Sequence, residues 1–266
     1  MDAEMLTIAL AQMDVPQGRP QANLARARAF AAQAQEAGAD LLLLPELWFH
    51  GYDLERADSF AAPLGQGGFA EMASMAHEFQ IHVTGSVLER HQDGVSNTAA
   101  LYGPEGERLG FYRKIHLFRL MREHHYLTPG TGGTLCDTPW GPTGLSICYD
   151  LRFPELFRTM ALAGAKLFVV PAQWPVKRLE AWLLLARARA AENELIVAAC
   201  NRVGSNEEGV TFPGRSIVVD PWGNTIVEGD SEERLLVARA NLREIEKVRR
   251  YLPVYKDRRP EAYVVR

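Results

Sequence analysis

The chain has 266 residues, with 29 Lys+Arg against 33 Asp+Glu and a formal net charge of −4. That length suits one α/β unit, and 47% hydrophobic with 23% charged residues is a globular composition, not a disordered or fibrous one. A slightly acidic chain lacks the positive field that binding a phosphate backbone requires, so a nucleic-acid partner is not expected.

Cys136, Cys148 and Cys200 are too few and too odd in number for a disulfide framework, and they predict a reducing compartment. The opening Met1-Asp2-Ala3-Glu4 is acidic and precedes no basic, then apolar, leader. No apolar run approaches the roughly 18 residues that span a bilayer. The expectation is a cytoplasmic protein without a membrane partner.

In chain order, 6–12 (LTIALAQ) reads as a buried strand, and Asn23 offers an N-cap to an Ala-rich helix that Gly38 stops. The all-apolar 41–44 is a second buried strand, closed by Pro45-Glu46. A helix over about 69–80 leads to a strand at 81–87, then turns separate strands at 98–102 and 108–114. The second half repeats this logic. Strands at 143–147, 167–171 and 195–200 alternate with helices at 153–163 and 179–193. Strands at 217–219 and 225–228 flank the turn Asp220-Pro221-Trp222-Gly223-Asn224. A closing helix at about 242–251 precedes an extended tail. Apolar strands alternating with helices predict sheets covered by helices, an α/β fold with no linker to divide 1–266.

Three polar residues sit at predicted strand ends: Glu46 after LLLLP, Lys114 closing GFYRK, and Cys148 after GLSI. Ligands collect at strand C-termini in α/β sheets, so residues far apart in sequence can converge there. A thiolate is a nucleophile whose pKa a neighbouring ammonium lowers. The same ammonium, with the Tyr149 backbone N–H, can hold an oxyanion, and a carboxylate can shuttle the proton. Taken singly, each has a plainer reading: a packed cysteine, a solvated rim lysine, a loop glutamate.

The surrounding words decide between these. LLLLPELWFHGY, YRKIHLF and SICYDLRFPELF resemble, in order and spacing, the three signature segments of the nitrilase superfamily of carbon–nitrogen hydrolases. The resemblance implies a four-layer αββα sandwich and a homodimer or higher homo-oligomer. It also implies Glu46 as general base, Lys114 as oxyanion-stabilising cation and Cys148 as nucleophile, without a cofactor. Glu123, in MREHHYLTPG, matches a second glutamate of the family that supports the lysine. Several further segments, among them AQWPVKRLEAW and ACNRVGS, are similar to the bacterial ω-amidase branch. Its members hydrolyse the ω-amide of 2-oxo dicarboxylic acid monoamides, such as 2-oxoglutaramate and 2-oxosuccinamate. Such a small-molecule amide needs a cation for its free carboxylate, and Arg178 is the first candidate; a surface arginine at a helix start is the other reading. Trp174, Trp48 and Phe49 either wall the pocket or fill the core. Asp150 and Arg152 read as a buried ion pair shaping the turn, His116 as a hydrogen-bonded support for the lysine strand, and Asn201-Arg202 as either pocket or turn residues.

His124-His125 and the other histidines have no metal-ligand spacing, and no phosphate-binding glycine motif or GxSxG elbow occurs. The basic stretch KVRRYLPVYKDRRP reads as a tail packed on a partner subunit. The rivals are a deaminated-glutathione amidase, an N-carbamoyl amino-acid hydrolase, a true nitrilase, an acyltransferase, and a non-enzymatic interaction protein on the same scaffold.

Overall fold

The computed structural model describes residues 4–264; Met1-Asp2-Ala3, part of the acidic opening, lie outside the described residues. Two six-stranded sheets carry the fold. The first has the order β14-β1-β2-β3-β4-β5, from β1 (Met5–Gln12), β2 (Leu41–Leu43), β3 (His82–His91), β4 (Gly94–Tyr102), β5 (Arg108–Arg113) and β14 (Arg234–Asn241). The second has the order β13-β12-β9-β8-β7-β6. Its strands are β6 (Thr134–Cys136), β7 (Thr143–Leu145), β8 (Leu167–Ala172), β9 (Ile196–Asn201), β12 (Ile217–Val219) and β13 (Thr225–Glu228). A short pair, β10 (Val203–Ser205) and β11 (Thr211–Pro213), stands apart. Each sheet has a parallel centre, β1-β2-β3 or β7-β8-β9, flanked by antiparallel strands.

Strand alternation sorts the side chains into layers. Leu6, Ile8, Leu10, Leu41 and Leu43 share one apolar core with Leu145, Leu167, Val169 and Ala198 of the second sheet. Their neighbours Ala9, Ala11, Leu42 and Leu44 face the other way, onto Phe30 and Ala31 of α1 (Pro20–Glu36) and Met72 and Ala76 of α3 (Gly68–Phe79). On the far side of the second sheet, α5 (Pro154–Leu162) and α6 (Leu179–Asn193) contribute Phe157, Met160, Trp182 and Ala186. The expected αββα sandwich is therefore the observed fold. The short α2 (Ala57–Phe60) and α4 (Glu123–Tyr126) lie in connections, and α7 (Arg243–Tyr251) and α8 (Val254–Asp257) close the chain.

Four local expectations change. Asn23 is not an N-cap, because Pro20 starts α1 one turn earlier and Arg19 holds the cap position. Its buried side chain instead donates to the Pro16 and Phe49 carbonyls, at 3.0 Å each. The strand β14 has no counterpart among the predicted elements, although RLLVARAN buries alternate residues. The strand β4 begins at Gly94, four residues earlier than expected. The tail is not simply extended, since it forms α8 and a 3-10 turn at Pro260–Ala262. Gly38 does end α1, with φ +65°. No described helix is long and apolar enough to cross a membrane.

Candidate active site

Glu46 follows β2, Lys114 follows β5, and Cys148 follows β7, so both sheets deliver strand ends to one place. All three are buried: Glu46 is 0% exposed, Lys114 1% and Cys148 7%. Lys114 Nζ donates to Glu46 Oε1 and to Glu123 Oε1, each at 2.7 Å. Asn97 of β4 donates to Glu46 Oε1 at 2.8 Å, and the Gln173 backbone N–H to Glu46 Oε2 at 2.9 Å. The Gln173 side chain also donates to the Glu46 carbonyl at 2.7 Å. Glu123 opens α4 and accepts from Tyr52 Oη and from the Phe118 backbone N–H. Every carboxylate oxygen in this cluster is thus held by a donor.

Cys148 begins a 3-10 turn, Cys148–Arg152, with φ +45°. A non-glycine residue in that region bears a cost of roughly 1–2 kcal/mol, which the surrounding bonds must offset. Asp150 supplies them. Its carboxylate accepts from the Ile147 backbone N–H, from Tyr112 Oη and from His116 Nδ1, each at 2.8 Å. The ring of His116 stacks on Phe153 with centroids 3.6 Å apart. His116 therefore supports the turn of Cys148 as well as the lysine strand.

The expected Asp150–Arg152 ion pair is not formed. Asp150 is satisfied by other groups, and the Arg152 guanidinium lies over the Trp174 ring, 5.0 Å from its centroid. Arg178 ends a 3-10 turn at Val176–Arg178, with its guanidinium 5.7 Å from the centre of the Phe118 ring. Both arginines line a narrow cavity that also touches Cys148, Tyr52, Phe118, Gln173 and Trp174. Among the described residues, neither guanidinium has a carboxylate within 4.0 Å, and no carboxylate lines the cavity. Trp48 and Phe49 are not in its wall; they pack in the core under α1 and α3. Trp174 is both wall and core, tilted against Trp182 with centroids 5.6 Å apart.

The electrostatics follow from burial. The Cys148 thiol is pushed well above its ordinary range, by desolvation first and by the charge of Glu46 second. Lys114 pulls the other way without prevailing, so a neighbouring ammonium does not by itself make the thiolate, as the sequence suggests. Desolvation opposes the charge on Lys114, yet Glu123 and Glu46 outweigh it and hold the ammonium well above its usual pKa. Burial raises the Glu123 carboxyl, with Lys114 opposing. The arrangement is a neutral thiol, a fixed cation and carboxylates in a dry pocket.

Asn201 and Arg202 reach this site indirectly. Asn201 Oδ1 accepts from the Trp174 backbone N–H at 2.7 Å, and Arg202 donates to Gln173 Oε1 at 3.1 Å. Tyr52, Asn97 and Gln173 are absent from the sequence-derived site. Asn97, a polar residue inside the strand VSNTAALY, is the one with a legible signal.

A sequence profile for the family described as carbon-nitrogen hydrolase matches residues 7–250. The 2-oxoglutaramate amidase of Bacillus subtilis is 39% identical over 258 residues, covering 97% of this chain and 99% of its own. The omega-amidase of Homo sapiens is 32% identical and covers 91% of each chain. A carbon-nitrogen hydrolase of Helicobacter pylori superposes with a TM-score of 0.90 at 28% identity, over 98% of this chain and 97% of that one. A mutant amidase of a Nesterenkonia species, carrying the acetamide moiety of fluoroacetamide covalently on its active-site cysteine, gives 0.83 at 29% identity, over 96% and 98%.

Proposed function

The chain belongs to the carbon–nitrogen hydrolase family, and from that premise we propose that it is a cysteine-dependent ω-amidase. Its substrates are small 2-oxo dicarboxylic acid monoamides, 2-oxoglutaramate first among them, and its products are the diacid and ammonia. The observation that carries this reading is the wall of the Cys148 cavity, which holds two arginines and, among the described residues, no carboxylate. A cavity with unneutralised guanidiniums suits a substrate that brings its own carboxylate. The names of the Bacillus subtilis and human relatives agree with that chemistry.

In this mechanism Cys148 Sγ attacks the ω-amide carbon while its proton passes to Glu46. Because burial keeps the thiol neutral, the proton must leave as the S–C bond forms, and a base at hydrogen-bond range is required. The resulting oxyanion is met by the Lys114 ammonium and by the Tyr149 backbone N–H. That N–H lies at the start of a helical turn, where donors lack intrahelical acceptors. Glu46 then protonates the departing nitrogen, the C–N bond breaks, and ammonia leaves a thioester. Water deprotonated by Glu46 attacks the thioester, the C–S bond breaks, and the proton returns to sulfur. Glu123 keeps Lys114 charged and in place. Arg178 and Arg152 hold the substrate carboxylate, and Trp174 walls the chain.

We read residues 1–266 as one catalytic domain and the cytoplasm as its setting, a reading that three unpaired buried cysteines support. Exposed apolar side chains on the helical face, Leu162 and Leu184, support a homodimer, to be checked by light scattering.

The decisive experiment measures ammonia release from 2-oxoglutaramate and from glutamine, with wild type and Cys148→Ala in parallel. Rapid release from the oxo-amide, weak release from glutamine and none in the folded variant are expected. Full activity in Cys148→Ala would refute the mechanism. Release from glutamine equal to that from the oxo-amide would refute the substrate assignment.

A further inference from the structure

Glu46 is held from both sheets, and unequally. Oε1 takes both of its donors, Asn97 and Lys114, from the first sheet. Oε2 takes its donor from Gln173, just past β8 of the second sheet, the sheet that also carries Cys148. Gln173 is therefore the link that sets the carboxylate against the thiol. Its side chain completes a clamp by donating to the Glu46 carbonyl at 2.7 Å.

A glutamine amide can present either its oxygen or its nitrogen to a neighbour, so something must choose. Arg202 does. Its guanidinium has donors only, and Nη1 lies 3.1 Å from Gln173 Oε1. The oxygen must face the arginine, and the amide nitrogen is left to face the Glu46 carbonyl. Arg202 is fully buried and is itself fixed on other sides. Nη2 donates to Asp14 Oδ1 at 2.6 Å, Nε to the Val203 carbonyl at 3.0 Å, and Phe212 lies 4.6 Å from its centre. Asp14 follows β1 of the first sheet and pairs through its backbone with Val203. Packing alone would be served as well by an apolar side chain of the same volume, because burying an ion is expensive.

We propose that Arg202 is a positioning residue for the reaction: through Gln173 it fixes the general base Glu46 against Cys148. The inference rests on the assignment of Glu46 as base. Its chain of contacts runs Asp14, Arg202, Gln173, Glu46; Gln173 also lines the Cys148 cavity, whereas Asp14 and Arg202 do not.

The test is a double-mutant cycle of Arg202→Met and Gln173→Met, with Glu46→Gln alongside, assayed for Cys148-dependent ammonia release from 2-oxoglutaramate. Arg202→Met is expected to lower kcat by about 10- to 100-fold, the scale of a misplaced catalytic group, with KM within about twofold. In the Gln173→Met background Arg202→Met should change nothing further. Arg202→Lys covers the case of misfolding. It keeps a charge for Asp14 but cannot reach Gln173 with the same fork, so it should show the kcat loss in a folded protein. Equal losses in both backgrounds, or a lower Tm with unchanged kcat, would overturn the inference while an inactive Glu46→Gln leaves the base in place. An active Glu46→Gln would overturn both.

Discussion

Two groups of charge flank Cys148, and they are built on opposite principles. On the first-sheet side, Glu46, Lys114 and Glu123 are fully buried and bonded to one another at 2.7 Å. On the outer side, Arg152 and Arg178 lie half-buried against aromatic faces, with no carboxylate among the described residues of the cavity they line. The first group answers its own charges, so it is rigid and ready before any ligand arrives. The second leaves positive charge open, and an anion must bring the answer. The contrast separates machinery from recognition. Removing a charge from the first group should damage fold and turnover together, whereas removing one from the second should damage binding alone.

The largest effect is expected at Lys114. Lys114→Met leaves Glu46 and Glu123 facing each other in a dry site. Taking one partner from a buried ion pair typically costs about 3–5 kcal/mol of stability, and the lost oxyanion donor should lower kcat by at least about 10²-fold. Denaturant titration and kcat together check this. A variant of wild-type stability would show that the cluster is not the tight ionic unit its distances imply.

Next comes Arg178. Arg178→Met should raise KM for 2-oxoglutaramate by roughly 10- to 150-fold, as loss of a charged hydrogen bond worth about 1.5–3 kcal/mol predicts. Stability should change by no more than about 0.5 kcal/mol, because no native ion pair is broken. An uncharged amide of the same length is the control, and its KM should not move. Equal losses for both substrates would erase the distinction between the two groups. Arg152→Met should follow the same pattern, with some added loss from its contact with Trp174.

The difference between these regions also explains what the sequence discloses. Glu46, Lys114 and Cys148 each interrupt or end an apolar strand, so their oddity is visible one residue at a time. The core strand 41–44 is legible for the same reason, since both of its faces are buried. Arg152 is misleading because Asp150 lies only two residues away. The 3-10 turn between them sends Asp150 inward to Tyr112 and His116 and Arg152 outward to Trp174. Tyr52 and Gln173 are tied to the catalytic carboxylates by partners 71 and 127 residues away, and no local pattern encodes such separations. The strand β14 alternates as a strand should, but its exposed face carries Val237, Arg239 and Asn241, which dilutes the apolar signal.

A third test concerns the thiol. The fold holds Cys148 neutral, because its pKa in the folded state is raised above the ordinary value. That contribution to stability is complete below the free thiol's pKa of about 8.5 and is lost as pH rises beyond it. Wild type should therefore lose stability relative to Cys148→Ala in alkaline solution, and the two should run parallel below pH about 8. A constant difference up to the alkaline limit would mean that the thiol ionises as freely in the fold as outside it.

The smallest effect comes from a charge the fold refuses. His50 lies on the loop after Glu46, its ring stacked on Phe60 at 4.3 Å and edge-on to Phe49 at 4.6 Å. Burial lowers its pKa to about 4, against the opposing pull of Asp53. Because the folded value lies below the free value of about 6.5, the unfolded chain binds the extra proton first as pH falls. The neutral ring thus contributes its full stabilisation above pH about 6.5, and that contribution drains away between there and about 4. Denaturant titrations of wild type and His50→Phe should differ by a constant above that window and by a pH-dependent amount within it. The partial exposure of the ring keeps the change small. If the difference stays flat through the window, His50 takes up its proton in the native state, and the loop bearing Glu46 tolerates a charge within its aromatic packing.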